Sequence, residues 1–182
     1  MNNKVLGFTI IELMVVVTII GLLVGIGYVN FSGARAEARD DARKVNLQEL
    51  QIALAVYKSQ HGVYPEQGCG GTTGWTGPGP HSASWGNDAD CPEYIVGLAP
   101  DFISELPVDP YEEYEDNKGF LYNVNASRSA YKLMAHNVVE VDLVDTYEHA
   151  FARCPGNLSP SCGGSAPPQT TYAVYSFGGE SW

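Results

Sequence analysis

The chain has 182 residues, a net charge of −11 and four cysteines. That length suits one globular domain beside a membrane segment, and the acidity makes nucleic acid an unfavourable partner. No Gly-x-Ser-x-Gly, His-Glu-x-x-His, P-loop or dinucleotide fingerprint occurs, and His61, His81, His136 and His149 are scattered, so nothing points to an enzyme.

Residues 1–7 form a short polar leader, set aside from fold reasoning. From Phe8 to Phe31 only Glu12 is charged. As a helix this run is about 36 Å long, enough for a hydrocarbon core of about 30 Å. It is too long for the apolar core of a cleaved secretory signal. A plain anchor has no use for Glu12; an acid within an apolar span marks a function and requires a partner.

The stretch Gly7-Phe8-Thr9-Ile10-Ile11-Glu12-Leu13 follows a leader with Lys4 and precedes the long apolar run. It resembles the processing site of type IV pilins and type II secretion pseudopilins, most strongly over residues 1–60. The resemblance implies that a prepilin peptidase cuts between Gly7 and Phe8. It implies that Phe8 becomes the N-methylated mature terminus, and that Glu12 pairs with the terminal amine of a neighbouring subunit. Physical chemistry agrees. Glycine leaves the backbone open to a protease. The freed Phe8 amine is a cation at the end of an apolar helix, with Glu12 about one turn along. A neighbour's amine neutralises an otherwise isolated buried acid.

Gly21, Gly25 and Gly27 interrupt the helix, permitting either local unwinding or close packing. Residues 32–60 lack proline and continue as helix. Leu47, Leu50, Leu54 and Tyr57 make a helical stripe, widened by Ile52, Ala53 and Val56, expected to pack on a sheet. Arg35, Arg39 and Arg43 form a basic line, facing either a neighbour's acids or local Glu37, Asp40 and Asp41. With Lys44 they would place the C-terminal part in the cytoplasm by a positive-inside count. Leader processing and the cysteines both indicate export instead.

His61-Gly62-Val63-Tyr64-Pro65 stops the helix. Residues 66–92 form a long Gly/Pro/Ser/Thr-rich loop, with Trp75 and Trp85 expected as its mini-core. The cysteines allow three pairings. Cys69–Cys91 and Cys154–Cys162 are favoured, each closing a Gly/Pro-rich loop on the oxidising side. No Cys-x-x-Cys suggests zinc. Tyr94–Leu106 holds a short helical turn, and Leu106-Pro107-Val108-Asp109-Pro110 resembles proline-flanked Asp motifs of pseudopilins. Asp109, Glu112, Glu113, Glu115 and Asp116 offer oxygens to Ca²⁺, but their spacing fits no EF-hand and a solvated acidic loop is the preferred reading. Strands are expected at Phe120–Val124, Tyr131–Ala135 and Tyr172–Ser176. The loop from Asn137 to Pro168 carries Glu140, Asp142, Asp145 and Glu148. Loops of this region hold calcium in major pseudopilins, but no residue matches, so no metal ligand and no required cofactor are assigned.

The expectation is an α+β chain: leader 1–7, transmembrane and filament-core helix 8–31, amphipathic helix 32–60, and an antiparallel-sheet head 61–182 with disulfide loops. By the resemblance it is lollipop-shaped, with a helix of roughly 80 Å. The implied function is a structural subunit of a type IV pilus-like filament. A type II secretion pseudopilin, or a bitopic membrane protein with an extracellular binding head, are the alternatives. Partners would be further copies of itself, the prepilin peptidase, the assembly machinery and the membrane. The precursor would sit in the cytoplasmic membrane with its head exported, then join a surface or periplasm-spanning filament.

Overall fold

The computed structural model describes residues 7–69, 74–78, 91–111, 118–155 and 168–180, apart from the side chains of 26–30. The chain divides into two compact units, Met1–Ala36 and Glu37–Trp182. One helix, α1 (Ile10–His61, 52 residues), contributes to both. It starts after the expected Phe8 because Thr9 caps it and must stay outside the helical conformation. It ends where Gly62 takes a φ of +78° and donates its N–H to the Lys58 carbonyl at 2.8 Å. This left-handed cap is one that glycine closes without a Cβ clash.

In the first unit the helix is bare: Phe8, Ile10, Ile11, Leu13, Leu22, Leu23 and Val24 are all more than half exposed. Among the described residues no helix is long and apolar enough to cross a membrane. The apolar stretch with described side chains, Ile10–Gly25, measures only about 24 Å. The rest of the expected 8–31 span passes through 26–30, whose side chains lie outside the described residues.

In the second unit Leu47, Leu50, Ala53 and Leu54 are buried, with Tyr57 packed against them. Ile52 and Val56 do not widen this stripe; they face solvent at 65% and 43% exposure. Each lies two residues past a buried leucine, hence about 200° around the helix. The leucines pack on a three-stranded antiparallel sheet of order β1-β2-β3: β1 (Gly119–Val124), β2 (Tyr131–His136) and β3 (Tyr172–Tyr175). The register sets Leu121 against Met134 and Leu133 against Val174. Period-two alternation divides the strands. Phe120, Tyr122, Tyr131, Leu133, Ala135, Tyr172 and Val174 join the leucine core, whereas Leu121, Met134 and Ala173 pack with Trp75. Trp75, expected in the mini-core of its own loop, covers the sheet, and most of that loop lies outside the described residues. Trp85 lies outside the described residues. Thr76 exchanges backbone hydrogen bonds with Tyr122 at 2.9 and 2.7 Å, blunting the β1 edge.

An ion cluster ties α1 to two loops of this unit. Arg43 is fully buried, and its Nε and Nη2 donate to both Asp109 oxygens at 2.8 and 2.9 Å. Its Nη1 donates to Asp40 at 2.8 Å and to Glu140 at 2.9 Å. Arg39 forks onto Glu140, and Lys44 reaches Asp41 and Asp142. Buried Asp40 also accepts the backbone N–H groups of Glu140, Val141 and Asp142 at 2.8–3.1 Å. Burial acts to lower the Arg43 pKa, but Asp109, then Glu140 and Asp40, hold it above the ordinary value. A charge is tolerated inside a protein only with such a complement of partners.

Candidate functional site: the amino end of α1

Gly7, Phe8 and Thr9 precede the helix and are exposed, Phe8 at 90%. Thr9 and Glu12 form a reciprocal capping box. The Glu12 N–H donates to Thr9 Oγ1 at 3.3 Å, and Glu12 Oε2 accepts the Thr9 N–H at 2.9 Å and the Thr9 hydroxyl at 2.8 Å. The two backbone N–H groups bonded here are ones the helix start leaves without a helical carbonyl. Oε1 of Glu12 has no partner among the described residues. The carboxylate is thus oriented by its own helix end through one oxygen and open through the other. The positive end of the helix dipole favours an anion at this place.

Gly7 has no packing reason to be glycine. A Cβ there would meet nothing within 4 Å, and its φ is not in the left-handed region. Sequence reasoning chose Glu12 for its charge and missed Thr9. The Thr-x-x-Glu spacing ahead of an apolar run was the available signal.

The other candidate residues lie elsewhere. Cys69 and Cys91 are bonded to each other. Cys154 is buried and disulfide-bonded, and Cys162 lies outside the described residues. Asp109, Glu140 and Asp142 belong to the ion cluster, while residues 112–117 lie outside the described residues. Among the described residues no three His, Cys, Asp or Glu side chains converge as for a metal ion. His61 stacks on Tyr57, and His149 lies parallel to Tyr172. His136 is buried beside Thr171, and His81 lies outside the described residues. Sequence reasoning also missed Lys132, fully buried on β2, whose Nζ donates to the Glu180 carbonyl at 3.2 Å. Burial and then the charge of Arg153 push the Lys132 pKa down to about 7.

Residues 2–28 match the prokaryotic N-terminal methylation motif. The chain is 32% identical over 112 residues to the type II secretion system core protein G of Vibrio cholerae, covering 60% of this chain and 67% of that protein. The core protein G of Klebsiella pneumoniae is 33% identical over 109 residues, covering 58% of this chain and 68% of that protein. The type IV major pilin protein PilA of Myxococcus xanthus is 38% identical over 65 residues, covering 36% of this chain but only 30% of that protein. No solved structure matches the chain.

Proposed function

The chain belongs to the family of type IV pilins and type II secretion pseudopilins, and on that premise we propose that it is a structural subunit of a type IV pilus-like filament. The observation that carries this reading is Glu12, held by Thr9 through one oxygen and, among the described residues, open through the other, at the head of a bare apolar helix. A prepilin peptidase cuts between Gly7 and Phe8, and the new Phe8 amine is then methylated. The leader takes Lys4 with it, so the net charge goes from −11 to −12. Before assembly the apolar helix anchors the subunit in the cytoplasmic membrane, with residues 61–182 exported. In the filament the Phe8 amine of one copy meets Glu12 of the next, and apolar helix faces cover one another. The role is mechanical, without catalysis. On the exported side Cys154 and Cys162 close a second disulfide loop.

The pseudopilin form has a specific observation in its favour. The matches to core protein G cover 60% and 58% of this chain, whereas the pilin match covers 36% of it. The test of processing is mass spectrometry of the mature N-terminus. The native chain should begin at methylated Phe8, and Gly7→Val should retain Met1, because a branched side chain beside the scissile bond obstructs the peptidase. An intact Met1 in the native protein, or normal cleavage of Gly7→Val, overturns the reading.

A further inference from the structure

Two of the three arginines spaced four apart on α1 are consumed by the ion cluster, and the third is not. Arg39 and Arg43 grip Glu140, Asp40 and Asp109. Arg35 is exposed and has no ion pair or hydrogen bond among the described residues. Its guanidinium carbon lies 4.3 Å from the centroid of the Phe31 ring, which is itself 58% exposed. A guanidinium held over a ring spends none of its five N–H donors in hydrogen bonds to it.

Both residues belong to the first unit, the one whose apolar side chains are bare. Arg35 lies 25 residues beyond Ile10, about 37 Å along the helix. A hydrocarbon core of about 30 Å ends before that point, in the zone of the lipid headgroups. An aromatic ring beside a long-stemmed cation is the pairing that settles there, with the ring at the interface and the charge outward.

We propose that Phe31 and Arg35 form a lipid-headgroup contact, in which the Arg35 guanidinium binds the phosphodiester of an anionic phospholipid over the Phe31 ring. The proposal rests on the reading that the subunit is membrane-inserted before assembly. A neighbouring copy is the weaker occupant. The only carboxylate in residues 1–36 is Glu12, at the far end of the helix and already tied to Thr9.

The test uses the full chain carrying a bimane at Ala34→Cys, reconstituted in phosphatidylcholine vesicles. The vesicles contain equal small amounts of either spin-labelled phosphatidylglycerol or spin-labelled phosphatidylcholine. At low salt the anionic lipid should quench about fivefold more effectively. The preference should vanish in Arg35→Gln, persist in Arg35→Lys, and shrink as salt is raised. Equal quenching by the two lipids overturns the headgroup contact but leaves insertion standing. Full preference in Arg35→Gln overturns the assignment to Arg35. Absence of quenching by either lipid overturns insertion itself, and this contact with it. Equal quenching together with filament loss in Arg35→Gln gives the residue to a neighbouring subunit instead.

Discussion

Arg43 brings a full charge into the interior of the second unit, and three carboxylates meet it there. Removing the cation leaves Asp40 and Asp109 without it, both nearly inaccessible to water. Arg43→Met should therefore destabilise the chain by about 3–5 kcal/mol, measured by urea unfolding in detergent. Arg43→Lys should recover only part, since an ammonium cannot fork onto Asp109. His136 sets a different pH window. Burial, and then the charge of Arg153, lower its pKa from the ordinary 6.5 to about 4. Between those values the unfolded chain binds the proton and the folded chain does not, so stability falls as pH drops through that window. The loss at this one residue reaches up to about 3 kcal/mol. His136→Gln should flatten the stability profile between pH 6.5 and pH 4. It should leave untouched the further loss at lower pH. There Glu140, held down by Arg39 and then Arg43, and Asp142, held down by Lys44, finally protonate. An unchanged slope above pH 4 would clear His136 of this role.

At the scale of elements, α1 ends on a backbone conformation that only glycine adopts freely. Gly62→Val keeps the chain length and polarity of the turn but forces a branched residue to a φ of +78°. A loss of about 1–2 kcal/mol is expected, read as a shift in the thermal midpoint. A neutral outcome would mean that the helix end relocates. The strands were legible in the sequence to within a residue, because alternation of Tyr, Leu and Val over short runs leaves little freedom of register. The leucine stripe was legible for the same reason at helical period. What escaped was non-local. Arg43 meets acids 66 and 97 residues away in the chain, and no local pattern joins them. Trp75 likewise reaches a sheet that begins more than forty residues later. Thr9 is the exception, since its capping partner is three residues away and its spacing was there to be seen.

At the scale of the whole molecule, assembly must overcome the charge of the chain. On the proposed reading, subunits of net charge −12 after processing repel one another, though salt screens this beyond about 8–10 Å. The attraction has to come from the bare apolar helix and from Glu12 meeting an amine. Glu12 caps its own helix, and on the proposed reading it has a separable second duty, neutralising a neighbour. Glutamine is accepted at the same place in a capping box, so Glu12→Gln keeps the cap and removes the charge. Glu12→Val removes both. If the charge pair drives docking, both variants should be cleaved at Gly7 and retained in the membrane, and both should yield few or no filaments. The reason is that an incoming Phe8 amine would be left unpaired in an apolar setting. If the cap alone matters, Glu12→Gln should assemble near native yield and Glu12→Val should not. The measurement compares sheared surface filaments with membrane-fraction protein, after mass spectrometry has confirmed the Phe8 terminus in each variant. Native filament yield from correctly processed Glu12→Gln subunits would remove the charge pair from the mechanism and leave Glu12 as a helix cap.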